Sequence, residues 1–199
     1  MTPLLIWNKA VNSVKTVHGL FLLGAFTALI LALSGCGATS FETISSGLES
    51  QGHYIEGIPF VKQTEYDCGP AALASVLSFR GKTADLERIT ASVYLPQLRG
   101  TLPMDLERYA KDQGFTTASS AGTAAALKTA VKNNIPVICL LDLGFWLYRQ
   151  PHFVTVIGFD DRNDLFIMHD GATPNRTMAY EDFEKKWSRA GNWMIVITP

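Results

Sequence analysis

A cysteine that ends a polar segment and begins an apolar helical pattern carries the clearest chemical signal in this sequence. Pro70 suits the first turn of a helix, and Leu73 and Val76 follow at helical spacing. The pattern places Cys68 at a helix N-terminus, where unpaired N–H groups and the helix dipole favour an anion and lower a thiol pKa. A buried structural cysteine at a helix start would give the same pattern, so the partners of Cys68 must decide between these interpretations.

Gln63, upstream of the cysteine, is the candidate oxyanion donor. Attack of a thiolate on a carbonyl creates an oxyanion, which needs hydrogen-bond donors held in place beforehand. The Gln63 amide and the backbone N–H of Cys68 could supply two such donors. An ordinary surface glutamine is the alternative interpretation.

A hairpin later in the chain supplies the candidate base. Residues 152–159 are β-branched and aromatic, residues 160–164 have turn chemistry, and residues 165–171 form a second strand pattern. An antiparallel hairpin centred near Asp161 leaves the first residue of one strand opposite the last residues of the other.

In that register His152 faces Asp170, with Cβ atoms about 5 Å apart. We expect the Asp170 carboxylate to orient the imidazole ring and to stabilise its charged form. His169 points to the other side of the strand and is the weaker base candidate, although a shift of one residue would exchange the two roles. A strand-end histidine beside a solvated aspartate is the alternative interpretation.

The elements that must position these side chains predict an α+β domain. Helical patterns follow Cys68 as far as residue 134, and residues 135–142 then switch to a buried strand that contains Cys139. We interpret Cys139 as a small core residue. An aromatic loop, residues 143–151, leads from this strand to His152; it is either a folded lid or a wall of the substrate groove.

Composition excludes several classes of function. The chain has 199 residues, 47% of them hydrophobic, and a net charge of −1, so it suits one folded domain and indicates no nucleic-acid partner. Neither a metal-ligand spacing nor a phosphate-binding loop occurs in the sequence, which predicts no metal, no nucleotide site and no cofactor.

The N-terminal region resembles a bacterial lipoprotein signal peptide. A basic stretch precedes the apolar run of residues 20–33, and Leu33-Ser34-Gly35-Cys36 then matches the site at which a cysteine is lipidated. We predict a signal peptide at 1–35, a lipidated cysteine and flexible tether at 36–57, and a catalytic domain at 58–199. Glycine at position 37 resembles an outer-membrane address, so the domain would face the periplasm. An uncleaved short anchor is the alternative.

The catalytic domain resembles the papain-like cysteine peptidases, and most closely the bacteriocin-processing family that cleaves double-glycine leaders. The matching stretches are Gln63-x-x-x-x-Asp67-Cys68-Gly69-Pro70-Ala71-Ala72-Leu73, Gly100-Thr101, His152 to Asp160, and His169-Asp170. The resemblance implies a papain-like fold in which an N-terminal helical part carries the nucleophile and an antiparallel sheet follows. It assigns catalysis to Cys68, His152 and Asp170, with Gln63 as oxyanion donor and a peptide or protein as substrate.

Two other functions remain open from the sequence. The first is a peptide-binding module of the same fold without turnover; such modules typically lack the histidine, whereas His152 is present. The second is a cell-wall amidase or transpeptidase. Those enzymes usually carry Asp-Cys-Ser-Gly, whereas this chain has Asp-Cys-Gly-Pro at 67–70.

Overall fold

The computed structural model describes residues 51–64 and 66–199, which belong to one compact unit spanning Ser40–Pro199. The predicted signal peptide, Cys36 and most of the tether lie outside the described residues. In chain order the elements are β1 (Gly52–Tyr54), α1 (Cys68–Phe79), α2 (Leu86–Val93), β2 (Tyr94–Leu95), β3 (Gly100–Thr101), α3 (Pro103–Asp112), β4 (Thr116–Ala121), α4 (Ala124–Lys132), β5 (Val137–Asp142), β6 (Pro151–Asp160), β7 (Leu165–His169), β8 (Arg176–Ala179), α5 (Tyr180–Arg189) and β9 (Trp193–Thr198).

A seven-stranded sheet forms the centre of this unit. Its order is β4-β9-β5-β6-β7-β8, β1 pairs with β6, and every pairing is antiparallel. The predicted α+β class is therefore confirmed: three helices precede β4, and every strand of the seven-stranded sheet except β1 follows them. None of the described helices is long and apolar enough to cross a membrane.

Helix α1 is buried along most of its length. Every residue from Gly69 to Leu77 is buried, because the helix packs between β6 on one side and helices α2 and α3 on the other. A fully buried leucine such as Leu73 contributes roughly 1.5–3 kcal/mol to stability. This packing holds the first residue of α1, Cys68, against the sheet.

The folded domain begins earlier than predicted. Gly52–Tyr54 pairs with Asp160–Gly158 of β6, and Ile55 is only 2% exposed. The prediction that the tether extends to residue 57 is therefore wrong at its C-terminal end. A three-residue strand with one buried isoleucine is too short to produce a period-2 pattern, and its pairing with β6 is a long-range contact that local composition does not report.

Candidate active site

Cys68 occupies the N-terminus of α1, as predicted. The N-cap residue, Asp67, makes no side-chain capping bond, and the N–H groups of Gly69 and Phe153 point at the Cys68 sulfur. A Cβ on Gly69 would lie 3.1 Å from Thr101 Cβ and 3.2 Å from a ring carbon of Phe153. The glycine thus allows the helix end to fit closely against β3 and β6.

His152, beside Phe153 on β6, contacts both Cys68 and the turn after β7. Its side chain hydrogen-bonds with the Cys68 thiol, and its Nε2 lies 2.8 Å from the backbone oxygen of Asp170. A carbonyl oxygen can only accept, so Nε2 donates to it. Nδ1 is then the nitrogen that faces the sulfur.

The two side chains shift each other's ionisation in opposite directions. Burial raises the pKa of the Cys68 thiol, but the hydrogen bond and charge of His152, with two backbone N–H groups, outweigh burial and lower it overall. Burial lowers the pKa of His152, but the bond and charge of Cys68 and the Asp170 carbonyl raise it overall. These shifts favour a thiolate–imidazolium pair.

The hairpin register differs from the predicted one. Asp160 pairs with Leu165, so the turn is centred beyond Asp161, and a bulge between Val156 and Gly158 adds a residue to β6. The partner of His152 is Leu141 on β5. The prediction that His152 lies directly opposite Asp170 is therefore wrong, because neither the bulge nor the turn length is encoded in strand alternation.

Asp170 reaches His152 through its backbone, and its carboxylate holds the turn. Oδ1 accepts from the N–H groups of Ala172 (2.9 Å) and Thr173 (2.6 Å), and Oδ2 accepts from Arg176 (2.8 Å). Burial raises the pKa of Asp170, but these bonds hold it below its usual range. The expected contact between carboxylate and ring is replaced by a carbonyl contact, and the negative charge acts on His152 from farther away.

Asp170→Asn is therefore expected to have a modest effect. The amide can still accept from Ala172 and Thr173, and the carbonyl bonded to His152 remains, so a reaction that depends on the Cys68–His152 pair should slow by less than about 10-fold rather than the roughly 10⁴-fold seen when a carboxylate itself holds a catalytic histidine. The measurement is the rate of Cys68 alkylation together with peptide hydrolysis. A loss as large as that of His152→Ala would return the orienting role to the carboxylate.

Gln63 is held by the same turn. Its backbone N–H donates to the carbonyl of Gly171 (2.9 Å), and its side-chain oxygen is buried and has no hydrogen-bond partner among the described residues. One turn therefore fixes both His152, through Asp170, and the backbone of Gln63. The structure brings Cys68 and His152 into direct contact and positions Gln63 through this shared turn.

Gly171 is a site residue that the sequence interpretation missed. Its φ of +80° favours glycine, and a Cβ there would overlap the Gln63 amide. Nothing in the local pattern separates it from an ordinary turn glycine, although its place directly after Asp170 was a usable signal.

His169 is a structural residue. It is 6% exposed, its Nε2 lies 3.2 Å from the Ile58 carbonyl, and its Nδ1 accepts from the N–H of Asn175 at 3.2 Å. Burial lowers its pKa, and both ring nitrogens are already engaged, Nε2 by the Ile58 carbonyl and Nδ1 by the Asn175 N–H, so neither is free to accept a proton from Cys68. It fastens β7 to the segment that leads to Gln63.

The aromatic loop projects into solvent. Its side chains from Phe145 to Tyr148 are between 62% and 88% exposed, so they do not form a closed lid. Asp142 holds the base of the loop by accepting from the N–H groups of Gly144 and Gln150 and from Arg149. A role as a groove wall stays a prediction.

The described residues contain no group of three or more His, Cys, Asp or Glu arranged to hold a metal. The site that they form is a half-buried cysteine–histidine pair with backbone N–H donors around the sulfur.

Solved structures share this fold. The peptidase domain of Streptococcus ComA is 24% identical, with a TM-score of 0.58, and the match covers 72% of this chain and 99% of that one. A Bacillus anthracis protein described as a C39-like peptidase is 17% identical, with a TM-score of 0.62 and coverage of 75% and 98%. A double-glycine motif protease from an AMS/PCAT transporter, solved with a leader peptide, is 20% identical, with a TM-score of 0.60 and coverage of 74% and 94%.

These likenesses confirm the papain-like α+β fold. A search of curated protein sequences found no match. The sequence model of the Peptidase_C39 like family matches residues 55–195, well over half of the chain, and the chain therefore belongs to that family.

Proposed function

We propose that this chain is a cysteine peptidase, with Cys68 as nucleophile, His152 as acid and base, and Gln63 as oxyanion donor. The observation that carries the proposal is the half-buried Cys68–His152 contact, in which each side chain shifts the pKa of the other toward the ion pair. Membership of a peptidase family over residues 55–195 supports the class of reaction.

The proposed reaction has two halves. The Cys68 thiolate attacks the carbonyl carbon of the scissile bond, and the C–N bond breaks as His152 gives its proton to the departing amine. Neutral His152 then takes a proton from water, the hydroxide oxygen attacks the thioester, and the C–S bond breaks. The products are a carboxylic acid, an amine and the regenerated pair.

In this proposal Asp170 and Gly171 position the reacting groups. The Asp170 carbonyl fixes the tautomer of His152, because a donating Nε2 leaves Nδ1 for the sulfur. The Gly171 carbonyl holds the backbone of Gln63, whose amide would donate to the oxyanion beside the N–H of Cys68.

Gln63→Ala tests the assignment of roles. Since the oxyanion forms only after attack on a carbonyl, alkylation of Cys68 by iodoacetamide should be almost unchanged, whereas peptide turnover should fall by roughly 100- to 1000-fold, the usual effect of losing one oxyanion donor. Lys62→Ala, at the exposed position before it, is the matched control. A parallel loss of alkylation would mean that Gln63 acts on the thiol, and unchanged turnover would remove it from the site.

We propose a peptide or protein as the substrate. One solved structure with this fold, a double-glycine motif protease, holds a leader peptide, which supports a peptide-binding groove in this fold. An amidase or transpeptidase would instead act on cell-wall fragments; hydrolysis of such fragments in preference to peptides would favour that alternative.

We propose further that Cys36 is lipidated and holds the domain at the outer membrane, facing the periplasm. The support is the sequence alone: an apolar run at 20–33 that ends in Leu33-Ser34-Gly35-Cys36. Metabolic labelling with a fatty-acid analogue should mark the wild type and leave Cys36→Ala unmarked. Equal labelling of the two would refute the lipoprotein assignment.

A further inference from the structure

The aromatic loop between β5 and β6 exposes a continuous run of large apolar side chains. Phe145, Trp146, Leu147 and Tyr148 are 76%, 88%, 87% and 62% exposed. Single exposed apolar residues are common on folded proteins, whereas a contiguous patch of them marks a surface that binds something. The patch therefore needs a ligand or partner that covers it.

The base of this loop is fixed, so its tip is ordered before any ligand arrives. The N–H of Leu143 donates to the carbonyl of Gln150 (2.9 Å) and closes the loop. From α5, the side chain of Arg189 donates to the carbonyl of Gly144 (2.6 Å). A surface that is already ordered loses less conformational entropy when it binds, which favours binding.

Trp146 stands at the tip in an unfavourable backbone conformation. Its φ is +50°, in the left-handed region that a bulky residue rarely adopts. The turn around it is closed by a hydrogen bond from the N–H of Tyr148 to the carbonyl of Phe145 (3.0 Å). Glycine or asparagine would suit this position better if the loop only had to turn. A strained and exposed tryptophan indicates that its side chain serves a ligand.

The loop leads directly into the strand that carries the candidate base. Pro151 begins β6, and His152 follows it. Since consecutive Cα atoms are about 3.8 Å apart, the Cα atom of Tyr148 lies within about 15 Å of that of His152. An extended peptide bound at Cys68 and His152 advances about 3.3 Å per residue, so four or five of its residues cover this distance.

The charges at the loop favour a peptide over an anionic membrane surface. Surfaces that bind such membranes combine aromatic residues with cations that are free to meet lipid phosphates. Two cations contact the base of the loop, and both face inward. Arg149 donates to the Asp142 carboxylate (3.0 Å) and to the carbonyl of Arg189, and the Arg189 guanidinium lies 3.4 Å from the same carboxylate.

We propose that the aromatic loop binds a large apolar side chain of the peptide substrate, within about five residues of the scissile bond. The inference rests on the proposed peptidase function and adds a substrate preference to it. Because the loop would contact the substrate away from the reacting atoms, it should stabilise the bound substrate and the transition state equally. Its loss should therefore raise KM and leave kcat nearly unchanged.

The first experiment uses the purified full-length chain and a peptide mixture made from a proteome digest. Mass spectrometry locates the cleaved bonds, and a synthetic peptide built on the preferred site gives kcat and KM. We expect large apolar residues to be enriched within about five positions of the cleaved bond. Serine in place of the enriched residue should raise KM by roughly 10-fold or more, as loss of an aromatic hot-spot contact does.

Trp146→Asn separates substrate binding from a structural role. Asparagine adopts a positive φ more readily than tryptophan, so thermal stability should be unchanged or higher. KM should rise by roughly 10-fold or more, whereas alkylation of Cys68 by iodoacetamide, which needs no bound peptide, should keep its wild-type rate. Trp146→Phe should retain most of the affinity. Met104→Asn, at a position 68% exposed on α3, is the matched control and should keep the wild-type KM.

The failures are distinct. Cleavage without apolar enrichment, or a KM that Trp146→Asn and Phe145→Ser both leave unchanged, would overturn this inference and leave the peptidase proposal standing. A raised KM with lower thermal stability and slower alkylation would mean that the loop is structural. A blue shift of Trp146 fluorescence on phosphatidylglycerol vesicles, with KM unchanged in the variants, would assign the loop to a membrane surface instead. No cleavage of any peptide by a wild-type chain with a reactive Cys68 would overturn both proposals.

Discussion

Replacement of Cys68 by serine is expected to lower peptide hydrolysis by about 10⁴-fold or more, as loss of a catalytic nucleophile does in other hydrolases. The physical reason is that a serine hydroxyl, which is a much weaker acid than a thiol, does not give up its proton to the neighbouring imidazole. N–H groups of Gly69 and Phe153 point at the Cys68 sulfur and, together with His152, lower the pKa of the thiol. The measurement is the initial rate of peptide cleavage together with labelling by a thiol-directed activity probe.

Cys139→Ala is the matched control for this experiment. Cys139 is also a free cysteine but is fully buried on β5, and burial raises its pKa. The variant should keep both hydrolysis and probe labelling, with a stability loss from the small cavity. Labelling that disappears with Cys139 and persists in Cys68→Ser would refute the assignment of the nucleophile.

His152→Ala should lower turnover to a similar extent and should also change how alkylation depends on pH. In the wild type the lowered pKa of Cys68 keeps the sulfur charged at pH values below the ordinary range of cysteine, and the raised pKa of His152 keeps the ring charged above its own ordinary range. Without the ring, the midpoint of iodoacetamide alkylation should rise toward or above the free-cysteine value of about 8.5, because burial of the thiol is then less opposed.

Two other histidines serve as controls. His53 lies on β1 and pairs with Phe159 at the far end of β6, so His53→Ala, which removes a side chain bonded to Asn134, should leave the alkylation profile unchanged. His169→Ala should lower thermal stability, since the ring fastens Ile58 and Asn175, with a smaller effect on the alkylation midpoint. A midpoint that rises in His169→Ala and not in His152→Ala would show that His169, and not His152, is the base.

A non-catalytic binding module predicts a different pattern. It would bind peptides, and neither Cys68→Ser nor His152→Ala would change a hydrolysis rate that is already at background. Peptide binding measured on Cys68→Ser therefore separates a groove without chemistry from an enzyme whose nucleophile has been removed.

Much of the site could be predicted because its signals are local. The helix start at Cys68 follows from Pro70 and the apolar spacing after it, and the strand pattern from His152 is equally clear. The β6–β7 hairpin and the α+β class are confirmed. Each depends on residues near one another in the chain.

The contact between His152 and Asp170 could not be predicted in detail. Alternation does not set the position of the turn, which is centred between Arg162 and Asn163 rather than near Asp161, and it does not reveal the irregularity between Val156 and Gly158, which changes the register by one residue. Nor does the presence of an aspartate at position 170 reveal that its backbone carbonyl, rather than its carboxylate, contacts His152. The same limit applies to Gly171, whose role depends on the approach of Gln63 from far along the chain.

The pairing of β1 with β6 also has a practical consequence. The carbonyl of Gln51 accepts from the N–H of Asp161, beyond one end of β6, while His152 lies near the other end, about 30 Å away at 3.3 Å per residue. A chip or bead coupled through a tag placed directly before Gln51, in a variant without residues 1–50, would hold the domain by the end remote from Cys68. Biosensor measurements in that orientation should leave the surface around Cys68 and His152 open to analyte, and the same geometry suits display of the domain on a particle surface.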